Sequence, residues 1–472
     1  MPSDVLVEPA IHRWRELMEA VPRGELFGRA QSVWREKTRL ELGLPVDRPI
    51  VATGHQALLW HPGVLAKYLA VDLAMSQGAC AAANLVVDQH VGFFASLDAP
   101  IRMRRGGLRS RTIDLAPVRE DVPMGQHESF APRVNVKSLP WAHRSVEAGM
   151  QRILEAIGRH RNAPNAAQQM AGALTELMAG WVGPIPNVTA SALGETSLAR
   201  AMMQQMIDDP HRMAEAYNEA VRAVPEAGIP PLLVRDDYVE VPLWRLRPDG
   251  RRMRAYDNDL PGLTGTDPSG HMPQAGSLPA GSAAHLLPRA LFMTALLRLG
   301  MCDLFVHGTG GASYDRAMER WIRNWLGVEV APVAVVTATV RLPLEVTVTE
   351  IDLETARRDL RRVQHDPDAP AAPEAESPSA VKRRWLQRID REPRRSGARR
   401  QAFYDMHREL AARREEVAGR VERAREACER ARRAGDEAAI ADRRDWPFPF
   451  YPDAMIDDLR DAIARIGAVR AS

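Results

Sequence analysis

Between Ile50 and His90 the chain runs from a short apolar stretch through a polar turn and an amphipathic stretch into a second apolar run. That order restricts the fold more than any other feature. Ile50, Val51 and Ala52 read as a strand, and Thr53-Gly54-His55-Gln56 follow at its end. Pro62 and Gly63 suit a helix start and Gly78 suits its end, so a helix is expected from Val64 to Gln77 with Lys67 on it. Asn84 to Val87 read as the next strand, ending in Asp88-Gln89-His90. Strand, helix, strand is a βαβ unit, and both polar clusters fall at carboxyl ends of strands, where open α/β sheets bind ligands. Backbone N–H groups and the positive end of a helix dipole converge at such a turn and favour an anion such as phosphate.

A second unit of the same kind is expected further on. Strand Leu304–Val306 runs into His307-Gly308-Thr309-Gly310-Gly311, a helix follows from Tyr314 to Trp325, and strand Val333–Leu342 completes it. The glycine spacing matches neither Walker A nor GxGxxG. A parallel, doubly wound sheet is the economical reading of two such units.

The rest of the chain divides around them. Residues up to about Gly43 read as helical, with Trp14, Leu17, Met18, Val33, Trp34 and Leu40 as buried positions. Arg102 to Arg133 shows no clear period. Helical patterns cover Val146–Ile157, Ala166–Trp181, Thr196–Val224 and Leu286–Leu299, and a hairpin turns at Pro248-Asp249-Gly250. The stretch from Asp257 to Ala284, with Thr264, Asp267, His271 and Gln274, reads as a lid. Residues 1–345 are expected to form the core and 346–472 a C-terminal coiled-coil domain, with a mobile linker at about 365–379. In that domain Phe403, Leu410, Val417, Val421, Ala424, Cys428 and Ala431 form one stripe on a helix from about Arg400 to Arg433. Trp446 to Tyr451 is aromatic and proline-rich, and is expected to dock back onto the body.

Composition excludes several functions. A formal net charge of +2 gives no overall steering toward nucleic acid or an anionic membrane. Cys80, Cys302 and Cys428 are far apart, which argues against a thiolate zinc site or a disulfide framework. No run approaches the roughly 20 apolar residues of a membrane helix and no signal-peptide core is evident, so a cytoplasmic protein is expected. The arginine-rich tail interleaves Glu and Asp and reads as a solvated helical face, with no nucleic-acid partner.

Three elements in this order resemble the bacillithiol-biosynthesis cysteine-adding enzymes. That family's first motif is a strand ending Thr-Gly-Gln-Gln, then Gly-Pro and a helix carrying a lysine; Thr53, Gly54, Gln56 and Lys67 match, and His55 replaces the first glutamine. Its second is Glu-Asp-His-Asp, where Asp88 and His90 match approximately. Its third is Leu-Leu-Arg-Pro followed by Gly-Gly-Pro-Gly-Glu with a tyrosine nearby. Here Leu286-Leu287-Pro288-Arg289 inverts one pair, Gly308, Gly310 and Tyr314 match, and Gly311 stands for the glutamate.

The resemblance implies a Rossmann-like core related to the nucleotidyltransferases and a coiled coil that supports a homodimer. It implies a ligase that joins cysteine to the amine of a small acceptor such as glucosaminyl-malate, with ATP or another phosphoryl donor. Under it, His55, Asp88 and His90 are the catalytic candidates, with Asp88 and His90 orienting the amine or accepting its proton. Thr53, Gly54, Gln56, His61, Lys67, His307, Gly308, Gly310 and Tyr314 are the nucleotide- or substrate-binding candidates.

Each has a plainer alternative. The Thr53–His61 cluster can cap a helix, Lys67 can point to solvent, and the glycines can serve close strand–helix approach. His55, His61, Asp88 and His90 are also a conceivable zinc set, although the spacing fits no standard motif. A ligase or nucleotidyltransferase on another small acceptor, and a non-catalytic nucleotide-binding dimer, stay open as alternatives.

Overall fold

Ile50, Val51 and Ala52 are all buried, as expected of a parallel strand covered on both faces. In a computed structural model, which describes residues 4–78, 80–104, 107–260, 286–346, 352–368 and 378–468, they begin the central strand of a six-stranded sheet. We number its strands β1 (Asp4–Glu8), β2 (Ile50–His55), β3 (Ala81–Val86), β4 (Asn187–Thr189), β5 (Leu304–His307) and β6 (Val333–Thr339). The order is β1-β6-β5-β2-β3-β4, parallel except for β1, which pairs antiparallel with β6. The chain is thus α/β, with a mixed sheet of mostly parallel strands.

Alternate residues of each strand enter opposite cores. Val51, Ala82, Val86, Leu304 and Val306 pack with helix α1 (Pro62–Ser76). Ile50, Ala52, Ala83, Leu85 and Phe305 pack on the other face with helix α2 (Ala312–Leu326). The chain moves outward from β2 to β3 to β4, then returns to lay β5 on the far side of β2. Strand order therefore reverses between β2 and β5, the position at which open sheets leave a ligand crevice.

Both expected βαβ units are present, and the hairpin is formed by Glu240–Leu246 and Arg252–Tyr256. Several local expectations are corrected. β1 lies within the stretch read as helical, and Val33 and Leu40 are exposed. Helix Gln31–Glu41 instead buries Trp34, Arg35 and Arg39, because both arginines pair with the buried Asp303 ahead of β5. The expected helix Leu286–Leu299 begins as strand Leu286–Pro288, paired with Leu243–Arg245. Pro288 ends that strand, and the helix proper, Ala290–Leu296, continues as a π-helical turn, Leu297–Met301. Thr196–Val224 divides at Asp209-Pro210, as the residue before proline resists the helical region. The patternless stretch after Arg102 includes strand Leu108–Asp114, which pairs antiparallel with Ser96–Arg102 as a two-stranded ribbon.

Beyond β6, helices Leu353–His365 and Ala380–Arg391 run outward, and Gly397–Glu416 and Ala418–Asp442 run back against them. Arg399 meets Asp390, Arg384 meets Glu409, Arg413 meets Asp368 and Arg341 meets Asp442, so the arm is antiparallel within one chain. The expected continuous helix is broken at Val417, and Phe403 is exposed. Residues 369–377 of the expected linker, and Thr264, Asp267, His271 and Gln274 of the expected lid, lie outside the described residues. Trp446, Phe448, Phe450 and Tyr451 dock onto the body and are fully buried in the α1 core, followed by helix Asp453–Ala468. No helix among the described residues is long and apolar enough to cross a membrane.

Candidate functional site

β2 delivers Thr53, Gly54 and His55 to the reversal point. Thr53 lies beneath it, its hydroxyl donating to Val306 O at 3.0 Å and tying β2 to β5. Gly54 sits within the strand and owes its identity to space. A β-carbon there would stand 2.8 Å from Leu85 Cβ and 2.9 Å from Leu85 O. His55 follows, half-buried, with Nδ1 3.2 Å from Gln56 O and its ring edge-on to Trp60. Gln56 also accepts the Trp60 indole N–H at its backbone oxygen.

His61 caps α1, with Nδ1 accepting from Gly63 N at 3.1 Å, while Pro62 opens the helix. The docked C-terminal segment forms a wall here, for Phe448 N donates to Trp60 O at 2.6 Å. The charges of Asp445 and Arg444 both reach His61. Burial lowers the His61 pKa, and Asp445 opposes that shift.

Lys67 turns inward rather than to solvent. It is 3% exposed, and Nζ donates to Gly54 O at 2.7 Å. No carboxylate among the described residues pairs with it, and burial pulls its pKa down to about 7. Burial, then the charge of Lys67, push His55 down to about 3, with smaller contributions from His61 and His307. His55 is therefore a neutral imidazole at ordinary pH: its one N–H, on Nδ1, is given to Gln56 O, and Nε2 is left as an acceptor with no positive charge to supply.

Across the reversal point β5 ends at His307, whose Nδ1 lies 2.8 Å from Oδ2 of the buried Asp315 in the first turn of α2. Arg298, from the π-helical turn, holds Asp315 from behind at 3.5 Å, and also binds Glu319 and Ala331 O. This His–Asp pair fixes one ring tautomer and leaves the other ring nitrogen for chemistry, the arrangement a general base requires. No side chain caps α2, so its first N–H groups remain available to an anion. Gly308 and Gly310 border open space, and Tyr314 is 40% exposed.

The remaining candidates lie further along the rim. Asp88 accepts from both Ser191 N and Ser191 Oγ, thereby holding the start of helix Ala190–Gly194. Its pKa is raised by burial, against which these bonds act. His90 faces Arg252, and burial followed by that charge lowers its pKa. The charges of Lys67, His61 and His307 all act on His55, whereas Asp88 is held by Ser191 and His90 feels Arg252. Among the described residues no three His, Cys, Asp or Glu side chains converge as a metal-ligand group. A groove of about 770 Å³ opens elsewhere, on the ribbon by Arg102, Arg109 and Arg111. It carries no group that exchanges protons near neutral pH, so the reversal point is the stronger candidate.

Sequence reasoning missed Asp315, although an acidic residue in the first turn after a His-Gly loop was a usable signal. It also missed Arg298 and Asp445, which reach the site only through tertiary packing. In comparisons with known proteins, no family model matches this chain and no match to a curated protein was found.

Proposed function

We propose that this chain is an amide-forming ligase. It joins an amino acid, cysteine by the resemblance drawn above, to the amine of a small acceptor such as glucosaminyl-malate, with ATP as phosphoryl donor. The observation that carries the reading is the convergence of a buried, carboxylate-free Lys67, a neutral His55 and an Asp315-oriented His307 at the strand-order reversal. In this reading the sheet is a doubly wound, Rossmann-like core, and the antiparallel arm is the coiled coil through which two chains pair.

Amide formation requires an activated carboxylate and a deprotonated amine. Transfer of the γ-phosphoryl group of ATP to the amino acid carboxylate breaks the bond from Pγ to its bridging oxygen, releases ADP and makes an acyl phosphate. Attack of the amine then forms the C–N bond, breaks the C–O bond and releases phosphate. His307 is suited to take the proton that the amine sheds. Lys67 and the uncapped N–H groups of α2 are suited to stabilise the phosphoryl oxygens. Nε2 of His55, whose Nδ1–H donates to Gln56 O, is an acceptor for a substrate N–H or O–H. Thr53 and Gly54 hold these groups in register, and His61 fixes the start of α1.

The test is cysteine-dependent ATP consumption by the purified protein with glucosaminyl-malate present and absent. Turnover that needs both compounds is the expected result, and His307→Ala and Lys67→Met should each abolish it without unfolding the chain. Bound ATP with no turnover against any amine would overturn the reading.

A further inference from the structure

Trp244, on strand Glu240–Leu246, carries two guanidinium groups on one indole. Arg252 Cζ lies 4.6 Å and Arg289 Cζ 4.5 Å from the ring centroid. The two strands that flank Trp244 supply one arginine each, Arg252–Tyr256 at its start and Leu286–Pro288 just past its end. Arg289 is neutralised by the buried Glu240, but Glu240 is shared with Arg254 at 3.2 Å. Arg252 has no carboxylate partner among the described residues. It donates Nη1 to Gln89 O at 2.9 Å, which pins it to the segment just beyond β3, at the carboxyl end of that strand.

Stacking alone does not account for this arrangement. Two like charges on one half-buried ring repel, and burial, then the charge of Arg289, lowers the Arg252 pKa. Beside them the His90 ring makes no hydrogen bond among the described residues, and its charge interaction is with Arg252. Paired guanidinium forks match the oxygens of carboxylates and phosphates, and here they stand in excess of local negative charge.

We propose that Arg252, Arg289 and Trp244 form a subsite for a doubly charged oxyanion group, a dicarboxylate or a diphosphate, on the small molecule that occupies the crevice. This deepens the ligase reading and rests on it for the crevice being a substrate site. Arg252 supplies the unpaired charge, Trp244 holds both forks apart and rigid, and His90 offers a neutral hydrogen bond at the edge.

Isothermal titration of the full chain with succinate and with pyrophosphate at low salt tests it by binding rather than turnover. At least one probe should bind, and whichever does names the source. Arg252→Gln should weaken that probe at least tenfold, while Arg111→Gln, on the distant ribbon, leaves it unchanged. Arg252→Lys, which keeps the charge without the fork, should fall between, and it serves if the glutamine variant does not fold. Neither probe binding, or parental affinity in Arg252→Gln, overturns the subsite. If a probe binds through Arg252 while the cysteine assay stays silent, the subsite stands and the ligase reading falls.

Discussion

The imidazole of His307 rests directly on the backbone of Gly311: a β-carbon at Gly311 would stand 1.6 Å from His307 Cε1. The backbone of Gly311 has φ −92°, open to any residue, so glycine is required here for room and not for conformation. Gly311→Ala should push the ring off Asp315. Turnover is expected to fall by ~10²-fold from misplacement of the base, with a stability cost of about 1–3 kcal/mol. Steady-state ATP consumption beside a thermal melt measures both, and parental turnover in this variant would remove His307 from the chemistry.

Asp315→Asn tests the same pair from the other side. The amide retains the shape but no longer fixes the ring tautomer, and kcat should drop by about 10²- to 10⁴-fold with KM little changed. Arg298 keeps Glu319, so the fold should survive with a loss on the order of 1–3 kcal/mol. A purely structural role would instead lower kcat only in proportion to the folded fraction, and would leave the pH profile unmoved.

Lys67 makes a prediction about pH. Its ordinary pKa of 10.5 falls to about 7 in the folded chain through burial. Between those values the unfolded chain holds a proton that the folded chain lacks, so stability rises with pH across that window. The penalty is complete below about pH 7. Lys67→Met removes it, and should be more stable than the parent at pH 6, on the order of a few kcal/mol. The gain should shrink toward pH 10, as urea titrations at pH 6, 8 and 10 would register; a gain independent of pH would refute the cause. The same variant should lose phosphoryl transfer, because its cation is gone.

Phe448 is fully buried, and its amide anchors the C-terminal segment to Trp60. Phe448→Ala should cost about 3–5 kcal/mol and loosen the wall that sets His61 beside Asp445. Thermal unfolding reads the cost. A variant that stays folded should also titrate His61 nearer to its ordinary range, which NMR of the ring protons would detect.

The βαβ units were legible because apolar runs, Pro62-Gly63 and the His-Gly loop are local signals, and the crevice follows once two strand ends are known. What could not be read is what folds over them. Lys67 is turned inward by its bond to Gly54 O, a contact across thirteen residues that periodicity does not report. Asp88 stands out in sequence as a carboxylate at a strand end, but its two bonds to Ser191, brought beside it by β4, could not be read there. Leu286–Leu299 misleads because its apolar run continues through Pro288, where a strand ends and the helix has yet to begin. Val33 and Leu40 mislead because two buried arginines, held by Asp303, claim the inward face of their helix.

The docked aromatic segment also sets a timetable for synthesis. Trp60 and His61 leave the ribosome early, but the residues that wall them in, Asp445 to Tyr451, come nearly four hundred positions later, after the whole arm has been made and has doubled back. A nascent chain can assemble its sheet and still lack one side of the crevice. On this geometry the wall beside Trp60 and His61 is absent until the C-terminal segment has been made, so a chain cut short before Asp445 leaves the start of α1 uncovered.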